Sequence, residues 1–297
     1  MFVTLGDLTL DILVKPDRHA PGRPPNSPGS VTMTSGGHAA NWAVWTSRLG
    51  GNCRFIGKVG RDPAAELLVW DLLKEGVLPE TVSEPGSTAT LAHIVRSGGG
   101  MDLMPDRGVA INLKPQEVED AWLADAQWLH LPATSFWALP IATAAAKAVR
   151  VAKQAKARIS VDLCSASGLR EYGVAKFVAL LKTVRPDVIF ATQEEAALFS
   201  AGALGELAGV AVLKLGDGGC GVADDKGYRE YVAEKGRALD RSGADDAFDA
   251  AWCLNYFHTT SVDKACLQAN KLYARVAAHV GTRPTVDVRG IIPATPS

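Results

Sequence analysis

The tract Asp240-Arg241-Ser242-Gly243-Ala244-Asp245-Asp246-Ala247-Phe248 sets a short Gly-Ala turn ahead of an apolar helical run, 247–257, with carboxylates in its first turn. Backbone N–H groups at a helix start lack intrahelical acceptors and the helix dipole favours negative charge there, so such a turn can hold an anion. A carboxylate beside that anion can take the proton of a hydroxyl attacking a phosphate. Asp245 and Asp246 are helix neighbours pointing roughly 100° apart, so one of them faces the ligand. The same acids, with Asp249, also read as ordinary helix N-terminal charges, each contributing about 0.3–1 kcal/mol.

A second tract, Gly36-Gly37-His38-Ala39-Ala40-Asn41-Trp42-Ala43, stands far upstream and is followed by Gly50, Gly57 and Gly60. Paired glycines let a backbone approach a ligand closely. Asn41 falls about one turn into the helix, where its amide can donate and accept. His38 reads as a packing or capping residue, with substrate contact as the alternative.

Together the two tracts resemble the signatures of the ribokinase-like (PfkB) family of carbohydrate kinases. The resemblance runs over nearly the whole chain, through Gly6, Asp11, the stretch Phe55 to Asp62, Asp187 to Phe199, Lys214 to Gly221, and Asn270. It implies a single ribokinase-like α/β domain over 1–297. In that fold a mostly parallel sheet is flanked by helices on both faces, and a small β lid, here near 8–35 and 87–110, covers the sugar.

The implied reaction is ATP-dependent transfer of the γ-phosphoryl group to a hydroxyl of a small sugar or sugar derivative. On this resemblance Asp246 is the base, and Gly243, Ala244 and Asp245 form the anion hole with it. Asp11, Gly36, Gly37 and Asn41 hold the sugar together with Asp246. Thr192, Lys214, Gly216, Gly218, Gly219 and Asn270 border ATP, and Glu195 organises Mg²⁺ through water. A monovalent cation near Asp240 and Gly281-Thr282, and a homodimer, are compatible with the same resemblance. A nucleoside kinase of this fold, or a sugar- or nucleotide-binding protein with little turnover, stand as alternatives. Taken alone, Asp11 is a turn-forming residue and Asn41 a helix-internal amide. Arg107 in the lid region reads either as an exposed arginine or as a partner for an acidic substrate.

These residues need a scaffold, and the hydrophobic pattern supplies one. Strand-like runs at 127–131, 158–163, 187–191 and 210–215 alternate with helical stretches near 136–157, 171–183 and 193–200. Two more helices, about 244–257 and 262–279, follow. Earlier helices cover 38–49 and the stretch after Asp62-Pro63, where Asp at the N-cap, Pro in the first turn and Gly76 past the end mark both boundaries. Such alternation predicts a mostly parallel sheet covered on both faces, with ligands outside the strands' carboxyl ends. Two segments break it. The proline-rich run 15–26 predicts an irregular or shortened lid strand, which counts against dimerisation through the lid. The other is a strand at 88–96 followed by Ser97-Gly98-Gly99-Gly100.

Residues 216–221 spell Gly-x-Gly-x-x-Gly after a strand. A hairpin rather than a helix follows, so the dinucleotide-binding reading is weak. No Gly-x4-Gly-Lys-Ser/Thr motif or protein-kinase signature is present. With 297 residues, net charge −1 and pI near 6.6, the chain offers no basic face for nucleic acid. Its five scattered cysteines read as buried thiols in a reducing compartment, and its histidines lack zinc-ligand spacing. With no secretion signal and no ~18-residue apolar span, the expectation is a cytoplasmic protein without a membrane partner.

Three residues depart from the family pattern: Arg241 for a small residue, Asp245 for Gly, and Thr192 for the Asn of an Asn-x-x-Glu motif. A charge on Asp245 ~5 Å from a phosphate would cost about 3 kcal/mol at an effective dielectric near 20. Arg241, four residues earlier, is expected to neutralise it or to reach the phosphate itself.

Overall fold

Successive strand residues enter opposite cores. Phe2, Trp128 and Val188 pack into one apolar cluster, while their neighbours Val3, Leu129 and Ile189 pack into the other. This period-2 division is what a sheet covered on both faces requires. The computed structural model describes residues 1–16, 28–96, 100–200, 202–233, 236 and 238–293.

The first seven strands are β1 (Phe2–Leu5), β2 (Thr9–Pro16), β3 (Gly29–Gly36), β4 (Cys53–Gly60), β5 (Leu78–Glu84), β6 (Thr90–Val95) and β7 (Met101–Asp106). The rest are β8 (Trp128–Pro132), β9 (Arg158–Asp162), β10 (Val188–Thr192), β11 (Val210–Lys214), β12 (Gly219–Asp224) and β13 (Gly227–Val232). Helices α1 (His38–Arg48), α2 (Pro63–Lys74), α3 (Ile141–Gln154), α4 (Ala166–Tyr172) and α5 (Val174–Val184) come first. They are followed by α6 (Gln193–Ala196), α7 (Ala203–Leu207), α8 (Ala244–Thr259) and α9 (Val262–Ala277).

A nine-stranded sheet runs in the order β13-β12-β11-β10-β9-β8-β1-β4-β5, parallel except at the β11-β12-β13 end. Helices α1, α2, α8 and α9 cover one face, with Trp42, Trp45, Leu68, Leu72, Trp252 and Leu272 buried. The other face carries α3, α4 and α5 through Ala144, Ala148, Leu169, Phe177 and Leu181. Fully burying one such large side chain contributes about 1.5–3 kcal/mol. The expected two-faced α/β architecture is present. Among the described residues, no helix is long and apolar enough to cross a membrane.

Helix ends follow local chemistry. Asp62 caps α2 by accepting from the Ala65 N–H at 2.9 Å, with Pro63 in the first turn, as its sequence predicts. The helix expected over 136–157 begins only at Ile141, after a 3₁₀ turn at Ala133–Phe136. That expected over 171–183 is broken at Gly173, whose φ of 97° separates α4 from α5.

A second, four-stranded sheet has the order β3-β2-β6-β7. It corrects the shortened strand expected there. Both β2 and β3 run eight residues and pair in full register, from Thr9 with Gly36 to Pro16 with Gly29. The proline-rich run follows β2 and, apart from Lys15 and Pro16, lies outside the described residues. Only Gly36 of β3 is buried, so that strand offers no apolar alternation to read.

Candidate active site

Several described chain segments meet at the carboxyl ends of parallel strands. Asp7 follows β1, Thr134 follows β8, Asp162 ends β9, Thr192 ends β10 and Lys214 ends β11. Into this rim project the starts of α1 and α8. Asn41 Nδ2 donates to Asp246 Oδ2 at 2.8 Å, and His38 Nδ1 lies 2.9 Å from Asp246 Oδ1. Asn41 and Asp246 are both buried.

The paired glycines make this approach sterically open. Gly37 has φ 94°, and a Cβ there would lie 2.5 Å from the Asp7 carbonyl oxygen. A Cβ on Gly36 would lie 2.3 Å from Asp11 Oδ2. Asp11 is buried and accepts the Thr9 hydroxyl at 2.7 Å, while His93 Nε2 stands 3.7 Å from its other oxygen. Burial pushes the Asp11 carboxyl up from its ordinary value, against the lowering effect of Thr9 and His93.

The Asn41 amide is oriented by Arg283, a residue without a recognisable sequence signal. Arg283 Nε donates to Asn41 Oδ1 at 2.8 Å, Nη1 pairs with Asp71 at 2.9 Å, and Nη2 reaches the Gly36 carbonyl at 3.2 Å. With a cation on its oxygen side, the Asn41 NH₂ group must face Asp246. His38, read from sequence as packing or capping, is instead an ionic partner of Asp246. Burial would lower its imidazole, but Asp246, then Asp7 and Asp162, outweigh that and raise it to about 10.

At the turn before α8, Gly243 takes φ 70°. The N–H groups of Gly243, Asp245 and Asp246 have no acceptor among the described residues, as an anion hole needs. Ala244 differs from expectation: its N–H donates to the Arg241 carbonyl at 3.1 Å. The expected Arg241–Asp245 pairing is absent too. Arg241 Nη2 pairs with Asp217 at 2.5 Å, and both side chains are exposed. Asp245 instead turns inward, where burial raises its carboxyl, opposed by Lys214 and reinforced by Asp162 and Asp246. The charge problem at Asp245 is therefore not met by Arg241; Lys214 is the cation that offsets it.

Thr192 N-caps α6 in a reciprocal box. Its hydroxyl accepts the Glu195 N–H at 3.4 Å, and Glu195 Oε2 accepts the Thr192 N–H at 2.8 Å. Glu195 is buried, and burial with Asp162 raises its carboxyl.

Lys214 does not line an open nucleotide loop. Its ammonium is buried 3.0 Å from Asp162 and 3.3 Å from Asp249. Burial opposes its charge, but those two carboxylates hold it well above the ordinary range. Asp162 is held low against its burial, chiefly by Lys214, so these two form the ionic pair. Burial drives Asp249 up, and its Oδ1 has no partner.

Gly216 and Gly218 form a 3₁₀ turn between β11 and β12, and the sheet continues as the expected hairpin. Gly219 has φ 102°, and a Cβ there would lie 2.0 Å from the Tyr231 carbonyl oxygen. Asn270 Nδ2 donates to that same oxygen at 2.8 Å, tying α9 to β13. Asp240 uses its two oxygens to accept the Ser242 and Gly281 N–H groups, each at 2.9 Å.

The donor chemistry suits a hard divalent cation. Burial and the nearby Asp162 carboxylate raise both Glu195 and Asp245, a repulsion that an oxygen-ligated Mg²⁺ would offset. His38, Asp162 and Cys164 also bring ligand atoms within 4.8 Å of one another. There, however, Asp246 takes His38 Nδ1 and Lys214 takes Asp162 Oδ1.

A cavity of about 330 Å³ contains Asp7, Asp11, Gly37, His38, Asn41, His93, Arg107, Thr134, Trp137, Gly243 and Asp246 in its lining. A larger opening behind Arg283, of about 630 Å³, takes in Gly281 and Thr282 but none of the expected sugar, base or ATP residues.

Comparison with known proteins gives the family and the fold. The model of the "pfkB family carbohydrate kinase" matches residues 1–289. A protein of Halopiger xanaduensis described as "ATP-dependent ribose-1-phosphate kinase" is 28% identical over 96% of this chain and 95% of its own. "Probable fructokinase-3" of Arabidopsis thaliana is 34% identical over 46% of this chain and 40% of its own. Among solved structures, a putative ribokinase II from E. coli superposes with a TM-score of 0.86 at 20% identity, covering 98% of this chain and 97% of the other. Adenosine kinase from Sinorhizobium meliloti gives 0.84 at 22%, over 97% and 96%. The chain belongs to the pfkB family of carbohydrate kinases.

Proposed function

We propose that this pfkB-family kinase moves the γ-phosphoryl group of ATP to a hydroxyl of a small sugar or sugar derivative, with Asp246 as base. The observation that carries this reading is the single cavity in which Asp246 meets Asn41, Asp11 and the open N–H groups of Gly243 and its neighbours. The acceptor oxygen attacks the γ-phosphorus, and its proton passes to Asp246. The β,γ-bridging P–O bond breaks, and ADP leaves with the electron pair. The free N–H groups of Gly243, Asp245 and Asp246 receive phosphate oxygens at the positive end of α8. Asp11 and the Asn41 amide fix the acceptor, and the Asp71–Arg283–Asn41 chain holds that amide in one orientation.

Mg²⁺ bound with the nucleotide neutralises triphosphate charge, and Glu195, through water, and Asp245 would hold it. The Gly216–Gly219 turn and Asn270 border the nucleotide in this reading. Lys214 acts from the interior by balancing the acids rather than by touching phosphate. A monovalent cation beside Asp240 would have to share its carboxylate with two backbone donors.

The four-stranded sheet serves as the lid, since β2 contributes Asp11 and β6 contributes Thr90 and His93 to the cavity. Its exposed Val31, Met33, Leu103 and Met104 suit a homodimer through that sheet. A nucleoside acceptor is disfavoured because, among the described residues, Trp137 is the one indole or phenyl ring in the lining. Trp42, Trp45 and Phe136 are buried in the cores. The relative named as a ribose-1-phosphate kinase supports an acceptor among sugars and sugar derivatives.

A coupled ADP-release assay with Mg·ATP over sugars, sugar phosphates, sugar acids and nucleosides tests the reading. Asp246→Asn is expected to lower kcat by about 10²–10⁴-fold with acceptor binding kept. Turnover that survives this substitution removes Asp246 as base. An inactive wild type that still binds sugar would make the chain a binding protein.

A further inference from the structure

The cavity holds a second set of polar groups, separate from those that meet Asp246. Nine buried side-chain polar atoms lack a hydrogen-bond partner among the described residues, and three belong to residues lining this one cavity: His93 Nε2, Thr134 Oγ1 and Trp137 Nε1. Arg107 lines it as well. Its Nη2 donates to the Thr134 carbonyl at 3.0 Å, and it forms no ion pair with any described carboxylate. The neighbouring Asp106 spends an oxygen on the Gly108 N–H at 2.9 Å. Buried polar groups are normally paired, so their concentration around one cavity marks a place where a ligand completes them. Trp137 offers only a donor, Arg107 only donors with a permanent charge, and Thr134 a hydroxyl able to donate. Such a set wants a ligand with several acceptors and negative charge.

We propose that the acceptor sugar carries an anionic substituent, a phosphate monoester or a carboxylate, bound by Arg107, Thr134, Trp137 and His93. This rests on the phosphotransfer reading and sharpens it. One hydroxyl of the anionic sugar loses its proton to Asp246 and attacks the γ-phosphorus as ADP departs, while the substituent itself makes and breaks no bond. A phosphorylated acceptor thus leaves as a bisphosphate. The subsite also fixes which hydroxyl reaches Asp246, because Arg107 and Asp246 line the same cavity and grip different parts of one small molecule.

The test compares matched neutral sugars, sugar phosphates and sugar acids by calorimetric binding without ATP and by initial rates with Mg·ATP. Wild type, Arg107→Met, Thr134→Val and Trp137→Phe are measured, with thermal melts to verify folding. We expect kcat/KM for one anionic class to exceed its neutral counterpart by about 100-fold, as hydrogen bonds to a charged group allow. In Arg107→Met the anionic-over-neutral ratio falls toward one. Trp137→Phe, which deletes a single N–H, lowers it about 5–10-fold. Preference for phosphates or for acids decides which substituent is bound. Equal kcat/KM and equal affinity for neutral and anionic sugars, untouched by Arg107→Met, overturn the subsite and leave phosphotransfer standing. If nothing is phosphorylated yet anionic sugars bind through Arg107, the subsite stands and phosphotransfer falls.

Discussion

The His38–Asp246 contact gives a prediction that needs no substrate. Free imidazole titrates near 6.5, burial alone would lower that, and the Asp246 carboxylate at 2.9 Å raises it to about 10. The full rise corresponds to about 5 kcal/mol at ~1.4 kcal/mol per pH unit, but 40% of the His38 side chain faces the cavity. Solvent screening there reduces the stabilisation to about 1 kcal/mol. Because the folded value is raised, this stabilisation is fully present below pH 6.5 and is lost as pH climbs toward about 10. Ring chemical shifts of His38 followed by NMR across pH should show a cation through neutrality, with a midpoint well above 6.5. In Asp246→Asn the largest raising charge is gone, so the midpoint should fall well below its wild-type value, with Asp7 and Asp162 still opposing burial. The stability gap between wild type and His38→Gln, read by chemical denaturation, should narrow between pH 6.5 and 10. A wild-type midpoint at or below 6.5, or one that Asp246→Asn leaves in place, would refute the ionic contact.

Other substitutions test the supports around the dyad. Gly36→Ala puts a methyl where Asp11 sits, so the acceptor KM should rise by at least about tenfold with a smaller change in kcat. Equal steady-state constants would show that Asp11 does not contact the acceptor. Arg283→Met removes the partner of Asp71 and of Asn41 Oδ1, and urea unfolding should reveal a loss of about 2–4 kcal/mol together with a lower kcat. A change under about 0.5 kcal/mol would deny Arg283 its positioning role. Arg241→Thr breaks an exposed pair with Asp217 and a contact with Tyr273, so stability should shift by less than about 1 kcal/mol and ATP affinity by less than about threefold. A large loss of ATP affinity, by titration calorimetry, would restore Arg241 to the phosphate site.

Legibility in the sequence tracked the range of the governing interaction. The strand–helix alternation, the Asp62 cap with Pro63 and the Gly36-Gly37 pair depend on neighbours within a few residues, and each stands near where its pattern placed it. Strands β2 and β3 were harder to read because most of their residues are only partly buried or exposed, leaving weak periodicity. The ladder between them, a long-range pairing, made them strands despite the proline run that follows β2.

By its own order the chain determined a two-faced α/β sheet and two glycine-marked helix starts, since propensity, capping and hydrophobic period act locally. Tertiary structure alone decided what each polar group meets. It turned Arg241 outward to Asp217 and Lys214 inward to Asp162, took up the Ala244 N–H, and set Arg283 behind Asn41 across 242 residues of chain. The reason is that a charge or donor is satisfied by whichever partner folding brings within about 3 Å, and sequence spacing carries no record of that distance.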